Sequence, residues 1–458
     1  MNIQASTLES DTAYVMDMTD EVKQQLYKTR PEFAFSDQAV PIVNENVFMR
    51  KDSNQIVMYA RMFLDTLSWR LTPAQAVVVA LMDGERTIDD ISTLLQQYAG
   101  GTKELNDFKV RRVLAWVAAS EHPRPIIDRR TVPAIPVRKF DPKDFLIPED
   151  QVELSPILDK PIGMLWMPTS VCQTDCIYCY ATRRPIPKAD LLSDARVKEL
   201  FDEAADIGIC KANLDGGDAL CRENIDELIA YATERNIECD ISTKCYVSED
   251  FAKRLRDAGV RIMQFGFDAP FPDLFDEVVG RKGHFHRTME SIQNCTRAGI
   301  VVRTNSILTQ ETYRHIHELV DLLHTLPLHD MKIATAFRSL HRPKPELLLR
   351  EDQKQWLRAQ IARLREKYPS GKINFECSTD YRAMTAEQRE SELANFPRCG
   401  IGQETIIITP DGRVSMCEQS PQTEEFIVGS VKENAIMDVW QCDKMKAVSY
   451  THLRAHET

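Results

Sequence analysis

The sequence lacks three features that would place it in a membrane, outside the cell or on a nucleic acid. It has no apolar run of about 20 residues, the length that a membrane-spanning helix needs. Its first residues, "MNIQASTLESDTAYVMDMTD", lack the basic-then-apolar order of a secretory signal. Its 57 lysines and arginines are outnumbered by 69 aspartates and glutamates, for a formal net charge of −12. The sequence therefore predicts a cytoplasmic protein that binds neither a membrane nor a nucleic acid.

What the sequence does contain is an ordinary globular composition with many cysteines. The chain has 458 residues, of which 43% are hydrophobic and 28% charged, enough for two or three domains. In the cytoplasm its 12 cysteines are expected as thiols or metal ligands rather than disulfides. Those scattered between residues 210 and 295 are predicted to be small buried residues of the core. They are Cys210, Cys221, Cys239, Cys245 and Cys295.

Three other cysteines cluster in "TSVCQTDCIYCYA", residues 169–181, with the spacing C-x3-C-x2-C. Polar residues separate Cys172, Cys176 and Cys179, which is unlike a buried core segment. A structural zinc site usually takes four ligands, and the local set has three. Three thiolates can hold a [4Fe–4S] cluster and leave one iron open for another ligand. We therefore predict an iron–sulfur site here.

This stretch resembles the signature of the radical S-adenosylmethionine (SAM) superfamily, with Tyr178 just before the third cysteine. The resemblance implies that the open iron binds the amino and carboxylate groups of SAM. It also implies that an electron, from a donor such as flavodoxin or ferredoxin, cleaves SAM to a 5′-deoxyadenosyl radical. The cofactor would carry this chemistry, while the protein positions it and excludes water.

Downstream of residue 162, short apolar runs alternate with amphipathic ones. Helical patterns such as 193–207, with Ser193 as a predicted N-cap, and 222–235 separate the runs. Six such alternations predict an α/β fold with a parallel sheet, a partial (β/α)6 barrel as the resemblance also implies. The predicted strands are 162–170, 209–217, 237–243, 261–269, 300–308 and 331–339. The cysteine loop follows the first strand, at the edge where such sheets bind ligands.

Polar residues end the next three predicted strands. "DGGD" (215–218) is similar to the GGE motif of the family, with Asp in place of the usual Glu. A tight turn is the other interpretation of this stretch. The resemblance assigns SAM-binding roles to the residues of these strand ends. They are Tyr178, Gly216, Gly217, Asp218, Ser242, Lys244 and Asp268.

A second cysteine motif begins at Cys399 and reads C-x12-G-x4-C to Cys417. The stretch between them, "TIIITPDGRVSM", predicts a β-hairpin with a Pro-Asp-Gly turn. The motif resembles the start of a SPASM or twitch domain, which implies that Cys399 and Cys417 ligate an auxiliary Fe–S cluster. Cys377 and Cys442 are further candidate ligands.

The chain departs from a full SPASM domain near its end. The further cysteine cluster C-x2-C-x5-C-x3-C is missing, and the final "VSYTHLRAHET" (448–458) resembles translated sequencing-adapter read-through. We therefore expect a truncated auxiliary domain followed by an artefactual tail.

The segment before the barrel has a winged-helix pattern. Strand-like runs with a turn at "KDSN" precede two helices within 69–98, which are capped at Thr72 and Thr87, and a third helix follows. DNA binding is disfavoured because "TIDDISTLL" carries two aspartates and no basic residue. The pattern resembles the peptide chaperone of pyrroloquinoline quinone biosynthesis and the RiPP recognition element. The resemblance implies that a leader peptide adds as a strand to an edge within 45–64.

The predicted domains are 1–38 unassigned, 39–127 winged helix, 128–160 Pro-rich tether, 161–345 radical SAM barrel, 346–447 SPASM-like and 448–458 tail. Together they predict a radical SAM maturase of ribosomally made peptides (RiPPs). It would bind a precursor by its leader and abstract a hydrogen from the core to form a carbon–carbon or thioether crosslink. Two alternatives stay open. One is a maturase of the anaerobic sulfatase-activating type, and the other is a non-catalytic leader-binding protein.

Overall fold

The computed structural model describes residues 36–62, 65–118, 126–131, 136–153, 155, 157–181, 186–339, 342–369, 372–377, 400–420 and 422–447. The predicted unassigned segment up to residue 35, Cys399 and the predicted tail 448–458 lie outside these ranges. The described helices include none long and apolar enough to cross a bilayer. The chain divides into two compact units, Met1–Asp159 and Lys160–Thr458.

The first unit combines small sheets with three helices. β1 (Pro41–Val43) pairs with β5 (Ile126–Asp128), and a meander orders β2 (Val47–Asp52), β3 (Gln55–Met62) and β4 (Asp65–Leu71) with β3 in the centre. The helices are α1 (Pro73–Ala80), α2 (Ile88–Ala99) and α3 (Lys103–Ala118). Apolar residues of the meander, such as Ile56 and Met58, pack with those of α1 and α2 in one core. β4 was not predicted, because its pattern runs directly into the first helix signal.

Local sequence explains where the first two helices begin. The Thr72 side chain accepts from the Gln75 N–H, and Pro73 occupies the first helical turn, where its missing N–H costs nothing. Thr87 and Asp90 form a reciprocal capping box, which satisfies two N–H groups at the start of α2. Both predicted caps are confirmed. The predicted turn is also confirmed, and Ser53 adopts a positive φ of 50° in it.

The predicted tether over 128–160 is bound to the first unit at several of its described residues. β5 pairs antiparallel with β1, and the 3-10 helix Pro142–Phe145 places Phe145 in the core of the first unit. At its end the Asp159 N–H donates to Asp52 at 2.8 Å. The segment carries apolar residues between its prolines, such as Phe145 and Ile147, and both are buried. Their burial lowers the free energy of the folded chain, which an extended, solvated tether would not achieve.

The second unit is built on a ten-stranded sheet in the order β12-β11-β10-β9-β8-β7-β6-β13-β14-β15. The six predicted strands are confirmed. They are β6 (Gly163–Trp166), β7 (Lys211–Leu214), β8 (Glu238–Thr243), β9 (Ile262–Gly266), β10 (Val301–Leu308) and β11 (Met331–Thr335). All six are parallel, so their carboxyl ends share one edge. The structure is therefore the mixed α/β fold with a largely parallel sheet that the sequence predicted.

Helices connect these strands and cover one face of the sheet. They are α4 (Asp194–Ile207), α5 (Ile225–Glu234), α6 (Glu249–Asp257), α7 (Pro272–Val279), α8 (His284–Arg297), α9 (Ile316–His324) and α10 (Glu351–Lys367). α4 begins as predicted, because the Ser193 hydroxyl accepts from the Arg196 N–H. Its buried residues recur at helical spacing and pack into the same core as Trp166 of β6. They are Val197, Leu200, Phe201 and Ala204.

Two additions extend the sheet beyond the predicted barrel. α10 leads into β12 (Ile373–Glu376), which pairs parallel with β11, so 346–377 continues the barrel instead of opening the auxiliary domain. At the other edge, the predicted hairpin is present as β13 (Thr405–Ile408) and β14 (Arg413–Ser415). β13 pairs parallel with β6, and β15 (Ile427–Ser430) and α11 (Ile436–Trp440) follow. The auxiliary segment is therefore continuous with the barrel sheet.

Candidate active site

The cysteine loop leaves the carboxyl end of β6 and is held against the end of α7. The Asp175 N–H donates to the Val279 carbonyl at 2.8 Å, and the Ile177 N–H donates to that of Val278 at 2.9 Å. Gly280, with φ of 65°, lies so close that a Cβ there would be 2.7 Å from the Asp175 carbonyl oxygen. These backbone contacts help to fix the path of the loop.

The three predicted cluster ligands lie on this loop as free thiols. Cys172 and Cys179 are half-buried, whereas Cys176 is 7% exposed and contacts the Thr174 hydroxyl at 3.6 Å. Burial raises the pKa of Cys176, and the Lys244 ammonium partly offsets this. Within the described ranges, no three His, Cys, Asp or Glu side chains converge on a single ion. A cluster needs no such convergence, because its cysteines ligate different irons, so the donor set fits a [4Fe–4S] group.

The backbone of Gly216 and Gly217 packs closely against the segment that leads into the cysteine loop. Gly216 has φ of 104°, and a Cβ there would be 2.6 Å from the Met167 Cβ. A Cβ on Gly217 would be 2.4 Å from the Val171 carbonyl oxygen. The Gly217 N–H donates to Thr169 at 3.0 Å. Both glycines are therefore required to join the end of β7 to the loop.

Asp218 is 6% exposed, and groups of the chain itself surround its carboxylate. The Thr243 hydroxyl lies 2.7 and 2.8 Å from its two oxygens. The N–H groups of Lys244 and Cys245 donate to Oδ2 at 2.7 and 3.0 Å. Asp218 is thus a clamp between the ends of β7 and β8, and its short side chain is oriented toward β8.

Three predicted SAM-site residues meet at the ends of β8 and β9. The Tyr178 hydroxyl donates to Asp268 at 2.6 Å, and the Lys244 ammonium lies 3.7 Å from the same oxygen. Burial opposes the ammonium, but the charges of Asp268 and the nearby thiols outweigh this and raise the pKa of Lys244. Lys244 therefore supplies a fixed positive charge beside the cluster loop. The fourth residue, Ser242, accepts from Gln264 at 3.0 Å, further down the sheet.

A small, partly open pocket lies beside the loop. Residues that flank the cysteines line it on one side, together with Asp215–Gly217. The C-terminal segment contributes Pro410, Glu418 and Gln422. The Tyr180 hydroxyl donates to Asp215 at 3.3 Å and also contacts Glu418. Burial and the charge of Asp215 raise the pKa of Glu418 to about 8, and burial raises that of Asp215. We expect one of the two carboxyl groups to hold a proton at neutral pH.

The candidate auxiliary ligands are not brought together in the described ranges. Cys417 follows β14, and its sulfur accepts from the Gln419 N–H at 3.4 Å. Cys377 ends β12 and Cys442 donates to Val428 of β15, so these two lie at opposite edges of the sheet. Cys417 remains the described candidate ligand from the hairpin.

Three residues line the pocket that the sequence motifs did not predict. They are Glu418, Asp215 and Tyr180. Asp215 and Tyr180 immediately neighbour predicted ligands, so proximity to the motifs was the available signal. Glu418 follows Cys417, more than 200 positions from Asp215, and only the parallel pairing of β13 with β6 brings the two together.

Two family models match this chain. The radical SAM superfamily matches residues 166–323, and the SPASM iron–sulfur cluster-binding domain matches residues 399–458. The first implies a [4Fe–4S] cluster and SAM, and the second implies auxiliary Fe–S binding. The matched ranges contain the cysteine loop and the C-terminal cysteine motif.

Curated relatives and solved structures agree with these matches. The PqqA peptide cyclase of Rhizobium meliloti (strain 1021) is 24% identical over 299 residues, which are 64% of this chain and 77% of that protein. The Fe-coproporphyrin III synthase of Methanosarcina barkeri is 30% identical over 166 residues, 36% of this chain and 41% of that one. The crystal structure of Streptococcus suis SuiB bound to S-adenosylmethionine gives a TM-score of 0.62 at 16% identity, over 88% of each chain. SuiB bound to precursor peptide SuiA gives 0.60 at 16%, over 89% of this chain and 90% of that one.

Proposed function

This chain is a radical SAM enzyme with a SPASM domain, and we propose that it is a maturase that crosslinks a ribosomally made precursor peptide. The proposal is supported by the relatives, since a PqqA peptide cyclase and SuiB share most of the chain's length with it. The observation that carries it is the pocket, which adjoins the cysteine loop and is closed by the SPASM hairpin. A peptide side chain in this pocket would lie between the two iron–sulfur segments.

We assign the SAM-cluster ligands to Cys172, Cys176 and Cys179. When bound, the cluster and SAM supply a 5′-deoxyadenosyl radical that abstracts a hydrogen atom. Lys244, held by Asp268, would offer its ammonium to a carboxylate. Tyr178 fixes the orientation of Asp268, and Gly216 and Gly217 let the backbone approach a ligand closely.

Crosslinking removes an electron and a proton from the peptide in addition to the abstracted hydrogen atom. Asp215 and Glu418 are the carboxyl groups that line the pocket. The ionised member of this pair would accept the proton, and Tyr180, which contacts both, would orient it. Cys417, next to Glu418, would ligate the auxiliary cluster together with Cys399.

We propose β2 as the strand that receives the leader peptide. In the meander β3 is central and β2 and β4 are edges, so within 45–64 only β2 is an edge strand. The Arg61 N–H donates to the Asn46 carbonyl, and by the alternation of antiparallel pairs the backbone groups of Met49 and Lys51 point away from β3. An incoming strand would pair with these groups.

The reducing cytoplasm is the proposed location, which is supported by the observation that no disulfide joins the described cysteines. There a flavodoxin or ferredoxin would deliver the electron. The test is anaerobic reconstitution with iron and sulfide, followed by incubation with SAM, dithionite and each short peptide that a search of the neighbouring genes identifies. A peptide lighter by two hydrogens, with 5′-deoxyadenosine released, is the expected result. Release of 5′-deoxyadenosine with an unchanged peptide would refute this substrate, and no release would favour a non-catalytic leader-binding protein.

A further inference from the structure

Two cysteines outside the cluster motifs lie in direct contact. The sulfurs of Cys221 and Cys245 are 3.4 Å apart, although 24 residues separate them. A disulfide needs a sulfur–sulfur distance of about 2.0 Å, so a small closing movement suffices. Cys210, Cys239 and Cys295 are buried as predicted and show no such contact with another cysteine among the described residues. The sequence pattern predicts the same buried structural role for all five cysteines between residues 210 and 295, and does not distinguish this pair from the others.

Both members of the pair are fixed by Asp218. The Cys221 N–H donates to the Asp218 carbonyl at 2.8 Å, and the Cys245 N–H donates to the Asp218 carboxylate at 3.0 Å. The contact therefore follows from the clamp that joins the ends of β7 and β8, and any state that keeps the clamp keeps the sulfurs together. Cys245 is 1% exposed, but Cys221 is half-buried and so within reach of a small reagent.

The pair also touches the cluster loop. The Gln173 N–H donates to the Cys221 sulfur, and the Gln173 side-chain oxygen accepts from the Tyr246 N–H at 3.4 Å. Gln173 is the neighbour of Cys172, the first cluster ligand. Gln173 therefore contacts Cys221 directly and contacts Cys245 through its neighbour Tyr246.

We propose that Cys221 and Cys245 form an oxidation site, at which a small-molecule disulfide such as oxidised glutathione converts the two thiols into a disulfide. The Cys221 thiolate attacks one glutathione sulfur and releases the first glutathione, which leaves a mixed disulfide. The Cys245 thiol then attacks the Cys221 sulfur, loses its proton and releases the second. The two cysteines give up two electrons and two protons, and the oxidant becomes two thiols. The hydrogen bond from Cys245 lowers the pKa of Cys221, which favours it as the attacking group.

Oxidation should reach the cluster loop. Drawing Cys221 toward Cys245 weakens its contact with Gln173, and the loop that carries Cys172 then loses one support. Because a displacement of a fraction of an ångström can cost about tenfold or more in rate, SAM cleavage should slow while the cluster remains bound.

The test uses the full chain, reconstituted anaerobically and exposed to oxidised glutathione, then alkylated and digested with trypsin. The expected product is a peptide pair joining residues 212–222 to 245–253, absent after dithiothreitol. Cys221→Ser and Cys245→Ser should each abolish it, so the proposal is testable even if one variant fails to fold. Cys239→Ser, a buried cysteine without this contact, should leave it intact.

The second measurement is 5′-deoxyadenosine formation, with iron content followed in the same samples. Oxidised wild type should lose about tenfold in rate at unchanged iron and recover with dithiothreitol, whereas oxidised Cys221→Ser should keep its rate. No linked peptide pair would overturn the proposal. A linked pair with an unchanged rate would overturn the coupling to the cluster loop. Neither readout requires the precursor peptide, so the proposed peptide-modifying function is tested separately.

Discussion

The Thr243 hydroxyl and the Asp218 carboxylate join the ends of β8 and β7, with contacts of 2.7 and 2.8 Å to the two carboxylate oxygens. The N–H groups of Lys244 and Cys245 donate to the same carboxylate, so Asp218 joins the strand ends at which the SAM site is proposed. The GGE resemblance assigns the same residue to the SAM amino group. In this structure its first role is to hold Lys244 in position.

Replacing Asp218 by Asn should therefore destabilise the protein as well as weaken SAM binding. One carboxylate oxygen accepts from the N–H groups of Lys244 and Cys245 and the other from the Leu220 N–H. In either orientation the amide nitrogen of Asn would face a donor that it cannot accept from, and leaving a buried donor unpaired costs about 1–3 kcal/mol. The measurements are the midpoint of thermal unfolding and SAM affinity by equilibrium dialysis. Asp218→Glu separates the two roles. If Asp218 mainly joins the strand ends, the extra methylene of Glu should lower the unfolding midpoint. If Asp218 mainly binds SAM, the Glu variant should keep or gain affinity for SAM, because Glu is the usual residue of the family motif.

Cys176→Ala should remove the SAM cluster. We expect a loss of about four irons per chain and no 5′-deoxyadenosine, because one of three protein ligands is gone. Iron analysis and the SAM cleavage assay check this. Cys295→Ala, at a buried cysteine in the apolar core, is the control and should retain both. Wild-type iron content in Cys176→Ala would contradict the ligand assignment.

Lys51→Pro should impair leader binding and leave the fold intact. Its N–H points away from β3, where proline is tolerated in an edge strand, but an added peptide strand would lose one hydrogen bond. Peptide affinity by fluorescence anisotropy should fall, while 5′-deoxyadenosine formation without peptide stays at the wild-type level. Lys51→Ala keeps the N–H and should bind normally. Equal affinity of the proline and alanine variants would exclude this edge.

Glu418→Gln should separate SAM cleavage from product formation. The amide keeps the size of the side chain but cannot accept a proton, so crosslinked peptide should fall by about 10²–10⁴-fold. Formation of 5′-deoxyadenosine should stay close to wild type, since Glu418 bonds to Tyr180 beside the charge of Asp215 and is not on the loop of Cys172, Cys176 and Cys179. Asp215→Asn is the companion variant. Equal losses of 5′-deoxyadenosine and product would instead indicate damage to the neighbouring Cys417 site.

The sequence by itself predicted the cysteine loop as the iron–sulfur site and determined the order of the barrel strands. Both are local properties. C-x3-C-x2-C lies within eight residues, and the periodicity of apolar residues within each strand or helix indicates which of the two it forms. The helix caps at Thr72, Thr87 and Ser193 are local for the same reason.

Only the tertiary structure decided which distant residues meet. The pairing of β13 with β6 closes the pocket and brings Glu418 to Asp215, and no periodicity encodes a parallel partner so far along the chain. The Asp218 clamp, the packing of Phe145 on the first unit and the contact of Cys221 with Cys245 arise likewise from the packing of separate segments. A side chain's type is visible in a sequence, but whether its hydrogen bonds are taken depends on the neighbours that folding supplies.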